Sequence, residues 1–286
     1  MIISIASGKG GTGKTTVAAN LAASLDQAVT VLDCDVEEPN LHLFLHPKIH
    51  TRENVVAPIP QVDMEKCTLC KRCMEICRFN AIAVAGKNVV TFPELCHSCG
   101  GCSAICPEDA ITEMERILGI VETGTGPAPD MAFSQGLLDV GQVMVPPVIR
   151  NVKTHIDTQG ITLIDAPPGT SCPVIAAMKD TDFVILVTEP TPFGLNDLKL
   201  AVETVQMMDI PHGLIINRAG MGDDAVYAYA KEQNLPVLLE IPFDRKIAES
   251  YSRGDLIISR SNDLKEKLQT LYKDICRMVD TKKSAP

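Results

Sequence analysis

Residues 6–16 read ASGKGGTGKTT. Within them Gly8-Lys9-Gly10-Gly11-Thr12-Gly13-Lys14-Thr15 fits G-x-x-x-x-G-K-[ST], and the flanks supply the context that this pattern needs. MIISIAS (1–7) before it is an apolar run of strand length, and TTVAANLAASL (15–25) after it is an Ala/Leu-rich helix pattern. Glycines at 8, 10, 11 and 13 let backbone N–H groups turn toward phosphate oxygens, at a helix N-terminus whose dipole favours anions. Lys14 is expected to neutralise the β- and γ-phosphates and the Thr15 hydroxyl to ligate Mg2+, with Thr12 and Thr16 completing the loop's nucleotide contacts.

Outward from the loop, short apolar runs alternate with helical patterns. AVTVLD (28–33), ITLIDAP (161–167), DFVILVTEP (182–190), HGLIINR (212–218) and LPVLLEIP (235–242) read as buried strands. LNDLKLAVETVQMM, DDAVYAYAKEQ and LKEKLQTLYKDICRMV read as helices between or after them. The pattern predicts an α/β protein of the P-loop NTPase fold, with a mostly parallel sheet and helices on both faces. A chain of 286 residues has room for one such domain and a small insert. Hydrophobic residues make up 45% but aromatics only 4%, so the core must be aliphatic. The net charge of −10 argues against nucleic-acid binding, which needs a basic face. No apolar run reaches the ~20 residues of a membrane span and no secretory segment is visible, so the expected location is cytoplasmic.

Eight of the eleven cysteines fall in two runs, which in a reducing compartment points to metal ligation rather than disulfides. Cys67, Cys70, Cys73 and Cys77 share an x2-x2-x3 spacing with Cys96, Cys99, Cys102 and Cys106, and CTLCKRCMEICRFNAI repeats as CHSCGGCSAICPEDAI. This is bacterial ferredoxin spacing, in which the fourth cysteine of each run ligates the other cluster. One [4Fe–4S] cluster is then expected on Cys67, Cys70, Cys73 and Cys106, and the other on Cys96, Cys99, Cys102 and Cys77. Paired C-x2-C also makes zinc ribbons, but the repeated spacing and Pro107 after the last cysteine favour iron–sulfur. Arg78 stands where the pattern usually has proline, and His97 reads as a solvated loop residue. A small α+β ferredoxin-like domain is therefore expected at 61–115, inserted into an ATPase domain formed by 1–60 and 116–286. The stretch 119–150 is rich in Gly and Pro and is expected to be partly irregular. Cys34 and Cys276 lie on apolar patterns and read as small buried hydrophobes.

With its extra lysine, KGGTGKTT resembles the deviant Walker A motif of the MinD/ParA ATPases. That resemblance implies that Lys9 reaches the partner's nucleotide across a dimer interface. It also implies that Asp35 of LDCD positions the attacking water, that Asp165 of LIDAPPG holds Mg2+ through water, and that Asn217 of IINR contacts adenine, with IPFD near the base. Asp33 reads either as a further site carboxylate or as a turn residue. Cys172 sits at the offset from Asp165 where the related nitrogenase iron protein holds a bridging cluster. No cysteine between Pro107 and Ser171 supplies a second ligand, so a structural role is the expected one.

The whole chain resembles MinD-superfamily ATPases that carry an inserted two-cluster ferredoxin domain, distant relatives of the nitrogenase iron protein and of Mrp-type cluster carriers. The resemblance implies ATP/ADP, Mg2+ and two [4Fe–4S] clusters. It further implies a slow, ATP-dependent homodimer, or a heterodimer with a related ATPase, acting on a redox or metallocofactor partner protein. The rival readings are a spatial-organising ATPase and a simple electron carrier with a structural nucleotide site. For the first, Leu264, Leu268, Leu271, Ile275 and Met278 form an apolar stripe flanked by Lys265, Lys267 and Lys273, suited to packing on the sheet or to a membrane surface.

Overall fold

A computed structural model describes residues 1–128 and 130–284; the last two positions expected in the ATPase domain, 285 and 286, lie outside it. Among the described residues the strands are β1 (Ile2–Ala6), β2 (Val29–Asp33), β3 (Lys48–Val62), β4 (Ile82–Ala85), β5 (Asn88–Thr91), β6 (Ile111–Thr125), β7 (Met131–Leu138), β8 (Ile161–Asp165), β9 (Phe183–Thr188), β10 (His212–Ala219) and β11 (Val237–Pro242). The helices are α1 (Lys14–Ser24), α2 (His42–Leu45), α3 (Arg72–Ile76), α4 (Gly101–Ala104), α5 (Val145–Val152), α6 (Cys172–Met178), α7 (Pro192–Met207), α8 (Ala225–Glu232), α9 (Arg245–Ser252) and α10 (Asn262–Ser284).

Nine strands form one sheet in the order β11-β10-β9-β1-β8-β2-β7-β6-β3, parallel from β11 to β7 and antiparallel through β6 and β3. The central strands are sealed on both faces, as their unbroken apolar runs require. On one face Ile5, Val31, Leu163 and Ile185 pack against α1 and α10; on the other Leu32, Ile164, Val184 and Leu214 pack against α5, α6 and α7. The terminal stripe is spent on the first of these cores. Leu268, Leu271 and Ile275 are at most 2% exposed, so α10 packs on the sheet instead of offering an apolar face outward. Among the described residues, no helix is long and apolar enough to cross a membrane.

The stretch 119–150 is partly irregular, as its composition suggests: it contains the second half of β6, all of β7 and the first six residues of α5, with irregular chain at 139–144. Its glycines serve close approach rather than loop freedom. A Cβ on Gly124 would strike the Lys48 carbonyl across the β3–β6 ladder, and one on Gly136 would lie 2.6 Å from Val36 and 2.9 Å from Val148.

Among the described residues β3 and β6 form the longest pairing, running from Lys48↔Thr125 to Val62↔Ile111 with register shifts between Ile49 and Thr51 and between Val55 and Val56. One half continues the main sheet, and the other extends past it through positions 61 and 115. Between the two strands, residues 63–110 form α3, α4 and the separate β4–β5 hairpin around their own small core of Cys73, Ile82 and Ile111.

Candidate functional site

The phosphate loop joins β1 to α1 and opens on a cavity of about 350 Å³ at the carboxyl ends of the parallel strands, where an open sheet places its ligands. Gly10, Gly11, Gly13, Lys14, Thr15 and Thr16 line one side, and Asp35, Asn217, Phe243 and Tyr251 line others. Gly13, at φ +95°, caps α1 in a conformation other residues rarely adopt, and a Cβ there would strike the Asn217 amide. Asn217 Nδ2 in turn donates to the Thr12 carbonyl at 2.8 Å, tying the end of β10 to the loop.

Two carboxylates flank the buried Lys14. Asp165 ends β8 with its side chain wholly enclosed, and burial pushes its carboxyl up to about 6 against the opposing pull of Lys14 and the Thr15 hydroxyl. Thr15 Oγ1 donates to Asp165 Oδ2 at 2.6 Å, while Asp165 Oδ1 and the Thr12 hydroxyl are buried with no protein partner among the described residues. A threonine hydroxyl, a half-satisfied carboxylate and an open cavity make a donor set that fits Mg2+, with Thr15 and Asp165 to hold it. Asp35 is pushed up to about 6 by burial, with Lys14 opposing and Asp165, Glu38 and Glu37 adding to the rise. Asp33 faces inward. Its two oxygens accept from the backbone N–H groups of Asp35 (3.1 Å), Asn40 (3.0 Å) and Leu41 (2.9 Å), so it shapes the turn that presents Asp35.

The cysteines gather around two hollows. Cys67, Cys70, Cys73 and Cys106 line one; Cys77, Cys96, Cys99 and Cys102 line the other, of about 250 Å³. The sequence repeat is also a backbone repeat. Leu69 and Ser98 (φ +57° and +51°), Lys71 and Gly100 (+66° and +69°), and Asn80 and Asp109 (+53° and +47°) take left-handed conformations at matched positions. These turns aim amides at sulfur: Ala81 N–H donates to Cys77 Sγ and Ala110 N–H to Cys106 Sγ, both at 3.3 Å, and Ser98 N–H to Cys96 Sγ at 3.4 Å. Thiols ringing a hollow, with amides directed at them, fit a multi-atom inorganic core. His97 is exposed, as a solvated residue would be, and stacks on Phe79 at 3.6 Å between ring centroids beside the second hollow.

Residues 3–257 match the model of the CobQ/CobB/MinD/ParA nucleotide binding domain. The chain belongs to that family. The Methanocaldococcus jannaschii protein MJ0578 is 30% identical over 98% of this chain and 98% of its own length. An iron-sulfur cluster carrier protein of the same organism is 27% identical over 98% of this chain and 86% of its own. Among solved structures, the septum site-determining protein MinD of Pyrococcus horikoshii, complexed with Mg-ADP, superposes with a TM-score of 0.57 at 24% identity. It covers 99% of this chain and 97% of that one, a likeness of fold.

Within this MinD/ParA-type domain, Lys9 lies over its own chain. Its ammonium is 3.9 Å from Glu189, a carboxylate at the end of β9 that also binds Arg218 at 2.8 Å. Sequence reading passed over Glu189, although an acid closing a buried strand (LVTEP) is the signal that marked Asp165. It also passed over α9, which with Phe243 and Tyr251 walls the cavity opposite the phosphate loop. Asp244 was the available cue: it caps α9 by accepting from Lys246 N–H at 2.8 Å. Cys172 is the exposed first residue of α6, at the end of the segment leading from Asp165, and Cys34 is fully buried.

Proposed function

We propose that the chain is a nucleotide-driven switch that carries two [4Fe–4S] clusters, and that nucleotide state controls electron delivery, or metallocofactor assembly, on a partner protein. The observation that carries the reading is the arrangement of eight cysteines as two rings of four, on a module whose supporting strands follow one acidic loop and precede the other. The clusters, when bound, supply one-electron chemistry, and thiol-directed amides such as those of Ala81 and Ala110 tune such centres. The likeness to an iron-sulfur cluster carrier protein supports iron–sulfur chemistry, and the family supports nucleotide binding.

In this reading residues 61–115 are a ferredoxin-type insert in an ATPase domain of cytoplasmic, reducing surroundings. Lys14 neutralises the phosphates, and Thr15 with Asp165 holds Mg2+. Asp35 orients water for hydrolysis, its raised carboxyl kept ionised near neutrality by Lys14. Asn217 buttresses the loop beside the base. Lys9 leaves Glu189 to reach the nucleotide of a second subunit, identical or related. Such a dimer places two charge clamps on the transferring phosphoryl groups.

The test is an anaerobic reductive titration followed by EPR, without nucleotide, with ADP and with ATP. The reading expects two [4Fe–4S] signals per chain and a nucleotide-dependent change in potential, line shape or partner reduction. Absence of clusters from anaerobically purified protein would refute it.

A further inference from the structure

We propose that Lys153 is a positioning residue that fastens the nucleotide-sensing segment to the ribbon bearing the cysteine module, so that α5 acts as the lever between them. The inference rests on the switch reading above and names the part that transmits the movement.

At one end of the lever, the segment between Asp165 and α6 is tied to the phosphate loop, because Gly169 N–H donates to the Ser7 carbonyl at 2.9 Å. A ligand that reorders this loop therefore pulls on α6. The far end of α6 is held by one side chain. Lys153 Nζ donates to the carbonyls of Ala176 (3.1 Å), Ala177 (3.0 Å) and Lys179, groups that a helix C-terminus otherwise leaves without partners. A cation there also suits the negative end of the helix dipole. Because Lys153 directly follows α5, a shift of α6 is passed to α5 through three hydrogen bonds rather than through apolar contact that could slide.

The other end of the lever is close-packed. Val148 and Val152 of α5 lie against β7 where only Gly136 fits, since a Cβ there would be 2.9 Å from each. The Asp35 loop joins at the same place: Leu138 N–H donates to the Val36 carbonyl at 2.9 Å, and Asp139 N–H to that of Leu118 in β6 at 2.9 Å. Both acidic loops thus end on one body, α5 with β7, which is laddered through β6 to β3, the strands that carry residues 63–110. A packed assembly of this kind moves as a unit instead of deforming.

The experiment is hydrogen exchange on the full, cluster-loaded chain with ADP and with a non-hydrolysable ATP analogue, in wild type, Lys153→Met and Lys153→Arg. Wild type should show a nucleotide-dependent change of at least about threefold in exchange at 111–125 and 145–152. Lys153→Met should keep nucleotide affinity within about twofold and keep the response at 166–171, yet lose the ribbon response; Lys153→Arg should restore it. A ribbon response that survives in Lys153→Met overturns the lever, and so does a wild-type ribbon that ignores nucleotide. Neither outcome touches the EPR test of the switch, so the two claims fail separately. If Lys153→Met does not fold, Lys153→Gln, with one amide for three carbonyls, carries the same comparison.

Discussion

Asp165 is a buried carboxylate beside Lys14 and Thr15, and replacing it by asparagine should change both stability and pH response. Burial raises its carboxyl from 3.8 to about 6 in the ligand-free chain. A folded-state value above the unfolded one means that the folded protein binds the proton more tightly, so stability falls as pH rises from about 4 to about 6. A rise of about two pH units corresponds to roughly 3 kcal/mol, the full penalty being present above pH 6. Asp165→Asn removes the buried charge and keeps an acceptor for Thr15. Nucleotide-free Asp165→Asn should therefore be more stable than wild type at pH 7, by up to that amount, with the advantage vanishing near pH 4. Mg2+ reverses the sign, because it needs the ionised form. The Mg2+-dependent part of nucleotide affinity should weaken about tenfold between pH 7 and pH 5 for each proton displaced, Asp35 being the second candidate with its own value of about 6. Denaturant melts give the first quantity, and titrations of a fluorescent ADP with and without Mg2+ give the second. The nucleotide's own phosphate titrates in this range, so the readout is the difference between wild type and Asp165→Asn at each pH. A wild-type Mg2+ effect that is flat from pH 5 to 7, or Asp165→Asn less stable than wild type at pH 7, refutes the assignment.

Lys14→Ala removes the cation that holds both carboxyls down, so it should abolish nucleotide turnover, by about 100-fold or more in a coupled ATPase assay, and move the pH transition upward. Lys9→Ala should leave the affinity of dilute protein for ADP within about twofold, since Lys9 rests on Glu189, but should eliminate ATP-dependent dimerisation in analytical ultracentrifugation. Cys73→Ala should reduce iron from about eight to about four atoms per chain, whereas Cys172→Ala should not change iron content, as measured by colorimetric assay after anaerobic purification. Iron removal should free the amides of 63–110 to exchange while those of β1, β8 and β9 stay protected, because Cys73 itself makes up part of the module's small core.

How much of this was legible in the sequence depends on the range of the forces involved. The phosphate loop, the buried strands and the cysteine rings are local patterns: glycine spacing, unbroken apolar runs and thiol spacing each act within about a dozen residues. Within 119–150 the positions of the strands were not legible, because its glycines respond to distant neighbours, Gly124 to Lys48 and Gly136 to Val148, and single-sequence reading cannot tell a close-approach glycine from a loop glycine. Asp33 reads from LDCD as either a site carboxylate or a turn residue; the chain leaves β2 at Asp33, whose carboxylate accepts from three backbone amides of the following turn, and that turn leaves Asp35 at the cavity. Lys153 escaped for a different reason. A lone lysine has no motif, and its partners, the carbonyls of α6, lie on another element.

The opening of the main sheet at β7, β6 and β3 gives a physical reason for one polypeptide to hold both a nucleotide cavity and two rings of thiols. A module joined by a flexible linker would diffuse independently of nucleotide state, because a coil transmits no torque. Here the attachment is two strands laddered to each other from Lys48↔Thr125 to Val62↔Ile111 and to the sheet through β7, so the module's orientation is set by the edge of the nucleotide-binding domain. The loop carrying Asp35 leads through α2 into this ribbon, and its Val36 carbonyl accepts from Leu138 N–H of the adjoining β7, while Lys153 links α5, packed on β7, to the end of α6 beyond Asp165. A change at the phosphates smaller than an ångström can be amplified along a stiff arm of this length, since strands advance about 3.3 Å per residue and the half that leaves the sheet is several residues long.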